Sequence, residues 1–178
     1  AYPGMATAIT NVTLYDGEGG KIENATLFMS GGKITSVGGA DTPIPADIAV
    51  YDGTGKFVTP GIIDIHSHLG VYPSPGVDAN SDGNEATSPA RPEVWAEHSV
   101  WPQDPGFTRA LAGGVTSLHV LPGSANLFGG RGVTLKNVLG RTAQDMKFPD
   151  APMSLKMACG ENPKRVYGNR NQMPSTRM

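Results

Sequence analysis

The sequence predicts an α/β chain in two parts, a β-rich segment over residues 1–59 and a strand–helix–strand segment over residues 60–178. Three observations carry this. β-Branched stretches alternate with glycine-centred turns through the first part. A nearly continuous apolar run, Ile62-Ile-Asp-Ile65, follows the turn Pro60-Gly61. Two more strand-like stretches, residues 115–121 and 153–159, lie beyond it, the first preceded by a helix signal. Strands alternating with helical stretches are the pattern of folds built on a parallel sheet.

In the first part, residues 8–15 form a β-branched run closed by Asp16-Gly17 and Gly19-Gly20, both with turn chemistry. Residues 25–29 read as a second strand, and Ser30-Gly-Gly-Lys33 turns the chain into a third at residues 34–37. Residues 48–51, the turn Asp52-Gly-Thr-Gly55 and residues 56–59 repeat the pattern. Turn signals at this spacing predict a small antiparallel β unit.

The second part opens on the apolar run at residues 62–65, whose composition predicts a strand buried on both faces. Residues 70–103 are rich in Pro, Gly, Asn and Ser without a period. An unstructured connection of that length is usually functional or an insertion. Asp104 then supplies a helix N-cap, Pro105 the first helical position, and Gly113 a left-handed C-terminal stop. Residues 115–121 follow as a buried strand, residues 122–132 as a glycine-rich loop, and residues 153–159 as a third strand leading into a helix start at Gly160-Glu161-Asn162-Pro163. Strand, helix, strand and a longer connection to another strand is how a β/α barrel or a doubly wound sheet begins.

Composition limits the function classes. The chain of 178 residues has a net charge of −2, which gives no electrostatic case for nucleic acid or an anionic membrane. No apolar run approaches the ~20 residues that cross a bilayer. A single cysteine, Cys159, excludes an internal disulfide framework and a cysteine-only zinc site, and it reads as a small buried apolar residue. The first residues lack a basic segment followed by an apolar one, so the compartment is either cytoplasmic or one reached with a signal peptide already removed.

The feature that carries chemistry is Pro60-Gly-Ile-Ile-Asp-Ile-His-Ser-His68. Side chains alternate along a strand, so Asp64, His66 and His68 fall on one face. Two imidazoles at i and i+2 can converge on one divalent ion, and Asp64 one step deeper can orient a histidine as a hydrogen-bond acceptor. In a barrel, active sites gather at the C-terminal strand ends, where this pair stands. Among other candidates, His119 inside its strand reads as a packed histidine. His98, between Trp95 and Trp101, belongs to a loop held down by its own aromatics. The loop at residues 122–132 offers Arg131 and Asn126 as substrate-binding groups, Arg131 by pairing with a carboxylate. It lacks the Gly-Lys-Ser/Thr of a nucleotide loop.

Residues 58–68, Val-Thr-Pro-Gly-Ile-Ile-Asp-Ile-His-Ser-His, resemble the first barrel strand of the amidohydrolase superfamily. Asp52-Gly-Thr-Gly-Lys56 is similar to the end of that family's N-terminal β-sandwich segment, and residues 110–116 to its first helix and second strand. Residues 121–126 and 156–165 are closer to the branch of imidazolonepropionases and Xaa-Pro dipeptidases. The resemblance implies the N-terminal part of a (β/α)8 TIM-like barrel, preceded by a small β-sandwich segment and interrupted by an insertion at about 70–103.

By the same resemblance the chain is part of a metal-dependent amidohydrolase that hydrolyses an amide, cyclic amide or dipeptide C–N bond with one or two divalent ions, zinc or else iron or manganese. His66 and His68 supply two ligands, and Glu161 at the end of the third strand is a third candidate. Lys156 is its rival, since some relatives carry a carboxylated lysine. Strand alternation allows only one of the two to face inward. The general base and remaining ligands are expected beyond Met178, in a C-terminal part present as a second chain or further segment. A homo-oligomer is compatible with this. The alternatives are a deaminase on the same scaffold and a non-catalytic relative acting in assembly or binding.

Overall fold

The computed structural model describes residues 4–178, which divide into two compact units, residues 4–60 and Gly61–Met178. The first is one five-stranded mixed sheet. Strands β1 (Thr7–Tyr15), β2 (Lys21–Ser30) and β3 (Lys33–Gly38) run antiparallel, whereas β4 (Ala49–Asp52) and β5 (Phe57–Val58) pair with β1 in parallel. The sheet order is β3-β2-β1-β4 with β5 beside β1. The antiparallel expectation fails at β4, because the connection over residues 39–48 is a crossover and not a hairpin. Asn11 and Asn24 take positive φ (58° and 49°), close to the register irregularities of the β1–β2 pair. Val12, Leu14, Ala25 and Leu27 form the unit's core.

In the second unit, β6 (Ile62–Ser67) and β7 (Val115–Val120) are parallel, joined through α1 (Pro105–Ala112). The Asp104 carboxylate caps α1 by accepting from the Gly106 N–H at 2.9 Å, and it also accepts from the Gly70 N–H at 2.9 Å. The left-handed stop falls at Gly114 (φ +91°), one residue after the expected Gly113, which sits at φ −84°.

Two expectations about strands need correction. Residues 128–136, expected to lie partly in a loop, form β8 (Phe128–Arg131) and β9 (Val133–Lys136). β9 runs antiparallel to β7 and takes the edge that a third parallel strand would use. β10 (Leu155–Met157) therefore pairs antiparallel with β8 in a separate two-stranded sheet. Gly130 (φ +108°) makes β8 possible, since a Cβ there would stand 2.8 Å from the Val94 carbonyl oxygen. β6 is likewise not buried on both faces: it is the outer strand of the β6-β7-β9 sheet, and Ile62, Ile63 and Ile65 are exposed.

Residues 70–103 are ordered by their own packing. They contain two 3-10 turns, Asp78–Asn80 and Ala96–His98, and contribute Val71, Ala96 and Val100 to a core shared with Phe107, Leu118, Val120 and Leu135. Two short helices complete the unit, α2 (Ala143–Met146), closed by a Thr142/Asp145 capping box, and α3 (Glu161–Gly168). Cys159 is exposed, not buried, because β10 ends at Met157. No helix among the described residues is long and apolar enough to cross a membrane.

Candidate metal centre

His66 and His68 stand at the C-terminal end of β6, with ring centroids 5.2 Å apart and planes nearly perpendicular. They stay neighbours at i and i+2 although β6 is irregular around them. Asp64 pairs with Leu118 and Ser67 with Val120, so three steps on β6 face two on β7, and the strand is irregular between them. Asp64 is displaced from its expected role. Its Oδ1 accepts the His66 backbone N–H at 3.1 Å, which shapes this irregularity locally and orients no imidazole.

The two rings have different partners. His68 Nδ1–H donates to the Leu121 carbonyl at 2.9 Å, because a carbonyl can only accept, and this leaves the lone pair on Nε2. Tyr72 packs against the same ring edge-to-face, with centroids 5.7 Å apart. His66 Nε2 lies 2.9 Å from Lys156 Nζ, an ammonium donor on β10. The Lys156 charge is the main reason the His66 pKa lies below its ordinary 6.5, with burial and His68 adding to it. Burial in turn holds Lys156 below 10.5. A cation therefore already sits against the His66 lone pair, and its own charge is the less stable for being partly buried.

Beside this pair, His119 on β7 is held from both sides, by Thr134 Oγ1 at 2.9 Å from Nδ1 and Ser154 Oγ at 2.8 Å from Nε2. Burial, and then the charge of His66, keeps its pKa below 6.5. With the folded value depressed, the unfolded chain takes up the proton more readily, so stability is complete above pH 6.5 and is lost as pH falls below it. Thermal unfolding across this range should show the loss, and His119→Gln should reduce it, leaving the part due to His66.

No protein-family model matches the sequence. Amidohydrolase tasK of Hapsidospora irregularis is 42% identical over 144 residues, 76% of this chain and 15% of that protein. An imidazolonepropionase of Idiomarina loihiensis is 44% identical over 63 residues, 34% of this chain and 15% of that protein. The crystal structure of an amidohydrolase from Thermotoga maritima MSB8 superimposes with a TM-score of 0.84 at 44% identity, over 97% of this chain and 44% of that one.

The chain belongs to the amidohydrolase superfamily.

This amidohydrolase chain thus spans less than half the length of each of these relatives. Among its described residues no three His, Cys, Asp or Glu side chains are grouped to hold an ion. Glu161 is not brought to the histidines: it opens α3, is exposed, and pairs with Arg165 at 3.0 Å, a contact natural to i and i+4 on a helix. Lys156 is brought there instead. Arg131 lays its guanidinium over the Trp95 ring at 4.9 Å, inside the segment 70–103, and the Trp95 ring also stacks against His98. Asn126 is buried, its amide nitrogen 2.7 Å from the Glu85 carbonyl and 2.8 Å from that of Ser88. Neither lines the cavity beside His68. Tyr72, Asn84, Ser124, Asn162 and Arg165 do, and sequence reasoning singled out none of them. Of these, only Tyr72 carried a local signal, four residues after His68 across the positive-φ Gly70.

Proposed function

We propose that this amidohydrolase chain holds a divalent ion, zinc or else iron or manganese, through His66 and His68, and serves hydrolysis of an amide, cyclic amide or dipeptide C–N bond. The observation that carries the proposal is the His68–Leu121 bond, which fixes one imidazole with its Nε2 lone pair available beside a second imidazole. The names of the relatives, amidohydrolase and imidazolonepropionase, support amide and cyclic-amide substrates. Their greater length supports further ligands and a general base from residues beyond these 178, in the same protein or a second chain. The fit to the Thermotoga structure supports β6 and β7 as the first strands of a (β/α)8 barrel over residues 60–178, after a β-sandwich segment over residues 1–59.

His66 and His68 would hold the ion, which would supply Lewis acidity for a bound water and the substrate carbonyl. The chain's own groups do the rest. The Leu121 carbonyl fixes the tautomer and orientation of His68, and Tyr72 closes one side of its ring. Lys156, 2.9 Å from His66, is better placed than Glu161 as the third group; carboxylated, it would bring an anionic ligand where its ammonium now stands.

Metal analysis of the full-length protein, with hydrolysis of N-acyl amino acids and dipeptides before and after chelation, tests this. Bound zinc, iron or manganese and chelator-sensitive hydrolysis are expected. A metal-free protein that hydrolyses none of these substrates would favour a non-catalytic scaffold, and hydrolysis that survives chelation would overturn the metal-dependent reading.

A further inference from the structure

The open cavity beside His68 has a volume of about 270 Å³ and is lined by Tyr72, Asn84, Ser124, Asn162 and Arg165 among others. That is below the roughly 300–1,000 Å³ of a whole small-molecule site, so it suits one end of a ligand. Its lining contains one cation, Arg165, and no carboxylate.

The hydrogen bonds among these residues leave donors over. Arg165 spends Nε–H on Glu161 Oε1 at 3.0 Å and one Nη2–H on Asn162 Oδ1 at 3.2 Å, which hold the guanidinium while Nη1 has no partner among the described residues. Asn162 Nδ2 donates to Ser124 Oγ at 2.6 Å, so that oxygen is engaged as an acceptor and its own proton is free. Asn84 is arranged the same way: its Oδ1 accepts the Ala125 N–H at 3.0 Å, and its Nδ2 donates to the Tyr72 hydroxyl. A guanidinium and two hydroxyls whose oxygens already accept a hydrogen bond thus line a space beside His68. Such a lining complements a group that only accepts.

We propose that Arg165, with Ser124 and Tyr72, forms an anion subsite that recognises a substrate carboxylate, so that the protein takes acids in preference to the corresponding neutral amides. This rests on the hydrolase reading of the adjacent histidines. It also moves carboxylate recognition from Arg131, whose guanidinium lies over Trp95, to Arg165. Arg165 sits at the cavity with His68, where a bound acid would present its C–N bond to the metal centre.

Calorimetric titration of the full-length protein with N-acetyl-L-proline and with N-acetyl-L-prolinamide tests the subsite. The wild type should bind the acid at least ~10-fold more tightly than the amide, the range of one hydrogen bond to a charged group. Arg165→Gln should remove that preference by weakening the acid about 10- to 100-fold, with the amide unchanged, and Arg165→Lys should restore part of it. Equal binding of acid and amide by the wild type, or a preference that survives Arg165→Gln, would overturn the assignment. So would competition by inorganic phosphate with no binding of the acid. Metal content measured on the same samples reports on the hydrolase reading separately: a metal-free wild type that still prefers the acid keeps the subsite and loses the metal centre.

Discussion

His68→Ala should reduce divalent-metal affinity by at least ~100-fold and abolish chelator-sensitive hydrolysis. Removing a hydrogen-bond partner from behind a ligating histidine already costs about 10–100-fold, and removing the ligand itself must cost more. The ring is fixed by the Leu121 carbonyl and packed by Tyr72, so alanine removes a ligand held ready in place. The fold should tolerate the change. His68 follows the last residue of β6 and is half-buried, and the apoprotein's unfolding free energy should move by no more than about 1 kcal/mol. Equilibrium dialysis against zinc, paired with urea unfolding of the metal-free protein, separates the two effects. A large loss of apoprotein stability with metal affinity retained would make His68 a packing residue.

Asn126→Ala should do the opposite, lowering stability by about 2–4 kcal/mol while leaving metal binding intact. Asn126 is 1% exposed and ties three segments together. Its amide nitrogen reaches the carbonyls of Glu85 and Ser88 and lies 3.0 Å from the hydroxyl of Tyr167, which is itself fully buried on α3. Tyr167 also donates to the Ser88 carbonyl at 2.7 Å, so that acceptor stays satisfied in the variant, whereas the Glu85 carbonyl loses its partner. The cost combines that orphaned group with the cavity left behind. A residue that contacts substrate would instead raise KM at little cost in stability, so denaturation and kinetics on one variant distinguish the roles.

These contrasts show what the sequence makes legible. The imidazole pair could be read because His66 and His68 lie two residues apart behind an apolar run, so local geometry alone keeps them neighbours. The Asp104 cap could be read for the same reason, since its partner Gly106 is two residues away. The mixed pairing of the first sheet could not, because the direction of β4 depends on a crossover whose residues carry no strand signal. Lys156 meets His66 across ninety positions, through a β8–β10 pairing that glycines at 129 and 130 permit but do not announce. Arg131 and Asn126 sit in a glycine-rich stretch with the composition of a ligand loop. Their side chains are turned inward by Trp95 and by the carbonyls of residues 85 and 88, and no local pattern encodes those contacts. Glu161 is the opposite case: its i+4 partner Arg165 is visible in the sequence, and a helix-surface pair is the simpler outcome.

The central claim is that His66 and His68 together hold a catalytic divalent ion. X-ray absorption at the zinc edge of the zinc-loaded full-length protein tests it most directly. Scattering from imidazole nitrogens at about 2.0–2.1 Å is expected, with two imidazoles lost in the His66→Ala/His68→Ala double variant. A zinc site whose spectrum is unchanged in that variant would contradict it.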